Sequence, residues 1–145
     1  LRRQASMLEY YRSGSVPGSY WVIAVIGLLW NGLGAYLYTL SNLGDPSVTA
    51  GAPPELLDYI ANMPVWAHAG WAFGIWGSLA GSLLMLARSR HAVGAFVVSA
   101  LGAVVSYAAQ AMAGVLTLAQ PLVILAVIAF LWWYCRRAVG LGILR

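Results

Sequence analysis

The sequence predicts an all-α integral membrane protein: a four-transmembrane-helix bundle, both termini cytoplasmic, with a short helix on the periplasmic interface. Three observations predict it. Of the 145 residues, 61% are hydrophobic and only 8% charged, with a mean hydropathy of +0.78, more apolar surface than a soluble domain of this size can bury. Four apolar runs, at 20–40, 65–87, 92–114 and 118–135, approach or exceed the roughly 20 residues that a hydrocarbon core of about 30 Å requires. The charges sit outside these runs and, Glu9 in the N-terminal arm apart, segregate by sign. Arg2, Arg3 and Arg12 precede the first run, Arg88 and Arg90 separate the second from the third, and Arg136, Arg137 and Arg145 follow the fourth. Asp45, Glu55 and Asp58 lie between the first and second runs, where there is no lysine or arginine. By the positive-inside rule the arginine-bearing ends face the cytoplasm of a bacterial inner membrane.

Residues 1–19 read as a cytoplasmic arm or interfacial helix with Met7, Leu8, Tyr10 and Tyr11 on its apolar side, broken by Gly and Pro at 16–18. The first span is longer than a signal h-region and has no small-residue cleavage site after it. The loop that follows opens with turn residues Gly44, Asp45 and Pro46, then offers Pro53 and Pro54 to start a short helix with Glu55 in its first turn. The turn RSRH (88–91) is so short that the second and third spans must be antiparallel neighbours. Pro121 suits the first turn of the fourth span, and 136–145 is left as a cytoplasmic tail. Tyr20, Trp21, Tyr36, Tyr38, Trp66, Trp132, Trp133 and Tyr134 fall where an interfacial aromatic belt belongs.

At about 100° per residue, Gly70, Gly74, Gly77 and Gly81 form one stripe carrying two overlapping GxxxG patterns. Small residues let helix backbones approach in lipid. The third span has a matching stripe, Ala95, Ser99, Gly102, Ser106, Ala109 and Ala113, and the first has Ala24, Gly27, Asn31 and Gly34 flanked by Tyr20 and Tyr38. The fourth shows only Val, Ile and Leu, which places it at the periphery, against lipid or another chain. Trp66, Trp71 and Trp76 step five residues at a time and are expected on three different sides of their helix.

Asn31, near mid-span, needs a partner because an unpaired amide in hydrocarbon costs several kcal/mol; Ser99 or Ser106 is the expected one. His68 projects about 160° from the glycine stripe, near the outer end of its helix. There it is expected to reach headgroups or Asp45, Glu55 and Asp58. With Tyr107, Gln110 and Gln120 it is expected to line a shallow polar pocket open to the periplasm. No acidic or basic residue lies inside any span, which disfavours a proton- or ion-coupled transporter. A lone Cys135 and two histidines at opposite membrane faces offer no redox pair, haem ligation or zinc site. No nucleophile elbow, metalloprotease motif or phosphate loop is present. The reading is therefore no enzyme, no metal and no cofactor. Arginines spread over tails and one turn do not make a nucleic-acid surface.

The segments LWNGLGAY (29–36), MPVW (63–66) and GIWGSLAGSLLMLARSRHA (74–92) resemble a group of small bacterial four-helix inner-membrane proteins that carry the label sugar transporter. The resemblance covers most of the chain, implies the four-span fold and assigns no functional residues. Sugar semi-transporters use three-helix repeats, which four spans do not match. The function expected first is a non-catalytic accessory or structural subunit of a larger energy-converting inner-membrane complex, respiratory or photosynthetic, with lipid and protein partners or further copies of itself around it. An oligomeric carrier of a small, sugar-like solute running past Asn31, His68 and Gln110 is the second expectation. A lipid- or quinone-binding protein is the third.

Overall fold

The computed structural model describes residues 2–6 and 16–145, and no strand occurs among them. Six labelled helices follow in chain order: α1 (Gly18–Leu43), α2 (Pro46–Thr49), α3 (Pro54–Asn62), α4 (Val65–Leu86), α5 (Ala92–Met112) and α6 (Ala119–Gly140). Residues 2–6 are also helical. The apolar side expected of the arm, Met7, Leu8, Tyr10 and Tyr11, lies outside the described residues, as does Arg12. Helices α1, α4, α5 and α6 are long and apolar enough to cross a membrane.

Local chemistry sets the ends. Helix α1 starts after Pro17 and stops at Gly44, whose φ of 68° is a conformation glycine adopts without a Cβ penalty. Asp45 then caps α2, accepting a hydrogen bond from the Ser47 backbone N–H at 2.9 Å. Prolines at 53, 54 and 64 start α3 and α4, where the missing N–H costs nothing. Helix α6 runs five residues past the expected limit of 135, so Arg136 and Arg137 are helical.

The segment after α6 is not a loose tail. The Ile143 N–H returns to the Ala138 carbonyl at 2.9 Å, Arg90 N–H donates to the Arg145 carbonyl at 3.1 Å, and Arg145 N–H donates to the Arg88 carbonyl at 3.0 Å. Arg88 Nε adds a bond to the Ile143 carbonyl at 2.9 Å. Ile143 and Leu144 are thereby 3% and 2% exposed, roofing an apolar core of Tyr20, Met85, Phe96, Leu131 and Cys135. Two apolar residues inside a charged-looking terminus are the physical reason: burying them favours docking over solvation.

Helix α4 is the central element, packed on α5 along one side and on α1 along another. A Cβ at Gly77 would stand 3.1 Å from Ser99 Cα, and one at Gly102 would stand 2.6 Å from both the Gly70 carbonyl oxygen and the Gly74 nitrogen. The α4 and α5 backbones are therefore in near contact. At the end of this seam nearest the turn between α4 and α5, Phe96, fully buried, lies over Gly81, while Ala95 is only half-buried and Ala113 is exposed. The stripe expected on α5 is thus displaced there by one residue, because a flat ring fills the space that a bare glycine leaves. Helix α6 packs on α5 and touches α1 through Tyr134, stacked on Tyr20 at 6.1 Å between centroids, and through Leu131 beside Gly27. It buries Ile128, Leu131, Cys135 and Ala138, so it has an inward face despite its uniform apolar composition. Tyr20 is a core residue and not part of a belt. Its hydroxyl donates to the Met85 carbonyl at 2.5 Å, buried.

Candidate functional site

Two groups of polar and aromatic side chains converge on α4. The first is a polar network at mid-bundle. Asn31 Nδ2 donates to Ser82 Oγ at 2.7 Å and to the Ser78 carbonyl at 3.2 Å. The Ser99 hydroxyl donates to the Gly74 carbonyl at 2.6 Å. Since its single proton is committed there, the bond between Ser78 Oγ and Ser99 Oγ has Ser78 as donor. Ser78 thus meets α1 through its carbonyl and α5 through its hydroxyl. Asn31 finds its partners on α4, not at the expected Ser99 or Ser106. Antiparallel α1 and α4 bring it opposite the turn between Ser78 and Ser82. Ser106 is also buried, on the face of α5 turned to α4.

The second group lies toward the end of the bundle at which α4 begins. Tyr38 Oη and His68 Nε2 are 3.0 Å apart, hydrogen-bonded and part-buried. Trp71 packs edge-to-face on Tyr38 with centroids 4.6 Å apart, and Trp76 does so at 5.9 Å. His68 itself is 6.0 Å from Trp71. His68 therefore turns to a tyrosine of α1 and not to the loop carboxylates, and Tyr38 links α1 to α4. Two of the three tryptophans meet on one ring although they differ by about 140° around α4. Tyr38 stands in the α1–α4 cleft, where side chains from both flanks of the α4 face reach it. Sequence spacing within α4 holds no sign of this. The signal lay across helices: Asn31 and Tyr38 are seven residues, two turns, apart on one face of α1.

Tyr107 and Gln110 are half-buried on α5, and Gln120 is exposed near the start of α6. No hydrogen bond or ring contact joins them to His68 among the described residues. The glycine seam Gly70, Gly74, Gly77 and Gly81 is the reason. It turns α5 to one side of α4 while His68 faces α1 on another, so the expected four-residue pocket is not assembled. Outside the spans, hydrogen bonds from the Ser47 side chain and backbone hold the Asp45 carboxyl below the usual aspartate range, and burial raises the Tyr59 hydroxyl of α3.

At the opposite end of the bundle two shallow depressions adjoin. One, of about 520 Å³, is lined by Arg90, His91, Gly94, Arg136, Val139 and Gly140 among others. Its neighbour, of about 450 Å³, shares Arg90 and Val139 and reaches Arg145. No family model matches the chain, and neither a curated protein nor a solved structure shows significant similarity to it.

Proposed function

We propose that this chain is a non-catalytic integral membrane protein that acts by packing, as an accessory subunit set laterally against a larger energy-converting complex of a bacterial inner membrane. In this reading both termini are cytoplasmic and α3 lies on the periplasmic interface. One observation carries it. The polar groups at mid-bundle are spent on one another, Asn31 on Ser82 and Ser78, and Ser78 on Ser99, so the donors of Asn31 and Ser78 are already committed between helices and not left for a solute. What remains for recognition is the outer surface. Trp30, at the middle of α1, is 44% exposed, whereas tryptophan in lipid contact favours the interfaces; a protein neighbour suits it better than acyl chains. Mild-detergent extraction followed by blue-native electrophoresis and native mass spectrometry tests the proposal. Co-migration with a larger assembly is expected, and recovery only as a free monomer sinks it.

A second reading, a lipid- or quinone-binding protein, is favoured by the cluster of Tyr38, His68, Trp71 and Trp76. Aromatic faces and a hydroxyl–imidazole pair suit a flat ring bearing carbonyl oxygens. Quenching of tryptophan fluorescence by a short-chain quinone should saturate and should weaken in His68→Phe. Linear, unsaturable quenching removes this reading.

A further inference from the structure

We infer that the groove between the arginine-bearing ends of α5 and α6 binds the headgroup of an anionic phospholipid. The inference rests on the proposed membrane location but not on the subunit role. The groove is lined by Arg90 and His91 at the start of α5, by Arg136 near the end of α6, and by Gly94, Val139 and Gly140 between them. A Cβ at Gly94 or at Gly140 would meet nothing within 4 Å, so the glycines leave its floor open. The Arg136 guanidinium lies 5.1 Å from the Trp132 ring centroid, a cation–π contact that holds it at the rim and leaves its N–H groups available to an anion.

The charge here is of one sign. Among the described residues Asp45, Glu55 and Asp58 are the carboxylate side chains, and all three belong to the loop joining α1 to α4, at the other end of the bundle. The first turn of α5 also points the positive end of its dipole to this side. A phosphate group matches that field.

Position selects a lipid over a soluble phosphate. The groove sits where two membrane-length helices end, the depth of headgroups. Val97 and Leu101, one and two turns beyond Val93 on α5, are exposed and apolar, which gives an acyl chain a surface to follow. Basic pockets between the ends of transmembrane helices bind such headgroups, and each basic residue near the surface contributes about 1 kcal/mol.

The test is native mass spectrometry of the full chain released from nanodiscs of phosphatidylcholine alone or mixed with phosphatidylglycerol or cardiolipin. Retention of the anionic lipids over phosphatidylcholine is expected. Arg90→Gln and Arg136→Gln should each lower that preference about fivefold. Gly94→Leu, which fills the open floor and leaves the charge unchanged, should lower it as well. Helix content and thermal unfolding of each variant report that the fold is kept. Equal retention of phosphatidylcholine overturns the inference. So does a Gly94→Leu variant with undiminished preference, since the attraction would then be diffuse surface charge. Displacement of the lipid by millimolar inorganic phosphate would reassign the groove to a soluble anion. Loss of lipid preference with co-migration in a larger assembly intact counts against the groove alone, and the reverse outcome counts against the subunit role alone.

Discussion

Asn31 shows what one residue type dictates and what it leaves open. An amide at mid-span must be paired, so an inward orientation could be read directly from the sequence. Its partner could not be read, because that depends on the register between α1 and α4, which no single-helix pattern contains. The same holds for His68. Its distance from the glycine stripe was legible; the Tyr38 hydroxyl that meets it comes from a helix 30 residues away. Interhelical hydrogen bonds in membranes average near 0.6 kcal/mol and seldom exceed about 2. Asn31→Ala should therefore destabilise the bundle by about 1 kcal/mol. A double-mutant cycle with Ser82→Ala, followed by unfolding in mixed micelles, should return a coupling of about 0.5 to 1 kcal/mol. No coupling would mean that the 2.7 Å bond does not contribute. Asp45 supplies a pH dependence. Its carboxyl is held low by hydrogen bonds from Ser47, so its folded pKa lies below the unfolded one. The stabilisation it gives is complete above the unfolded pKa and is lost as pH falls through the folded one. The Ser47 amide resonance should accordingly shift with a midpoint below that of an ordinary aspartate. Asp45→Asn, which keeps an oxygen for the cap, should abolish the step.

At the level of helices, spacing was most informative where it recorded backbone approach and least informative where it recorded bulk. Gly70, Gly74, Gly77 and Gly81 fall on one stripe, and in the structure each stands against α5. The opposite face was harder, because Phe96 in a run of small residues resembles a lipid-facing ring until Gly81 is placed beneath it. The fourth span lies at the periphery, packed chiefly on α5, and its inward face and its length were harder to read for a related reason. Val, Ile and Leu pack as well against protein as against lipid, so composition did not mark its inner side or its continuation to Gly140. Glycine positions separate the two situations in a measurable way. At Gly102 an added Cβ meets backbone atoms at 2.6 Å, and backbone cannot rotate aside. Gly102→Ala should therefore part α4 and α5 and cost about 1 to 3 kcal/mol, as overpacking does. Gly94, on the same helix, faces open space. There the same change should be neutral or slightly stabilising, since alanine is the better helix former by up to about 1 kcal/mol. Equal effects at the two positions in the mixed-micelle assay would show that helix propensity, and not the seam, dominates.

For the whole molecule, charge and thickness act together. The four spans of 26, 22, 21 and 22 residues all reach across a hydrocarbon core of about 30 Å at 1.5 Å per residue. Their even number returns the end of α6 to the side on which α1 begins. Arg88, Arg90, Arg136, Arg137 and Arg145 gather on that side, and Asp45, Glu55 and Asp58 gather on the other. Docking of 141–145 onto the turn between α4 and α5 fixes the basic end as one surface. Translocating arginine is more costly than translocating a short acidic loop, so the arginine-bearing side is expected in the cytoplasm. The native thiol makes this measurable without a cysteine-free background, because Cys135 is 0% exposed within the bundle and should not react with a bulky, membrane-impermeant maleimide. Ala50, in the loop after α2, and Ala87, at the end of α4, are both exposed. Ala50→Cys should be labelled in intact spheroplasts. Ala87→Cys should be labelled only after the membrane is opened, and the unmodified chain not at all. Labelling of Ala87→Cys alone before opening would invert the topology. Labelling of both would mean that α4, which separates them, does not cross, and the four-span architecture would fall with it.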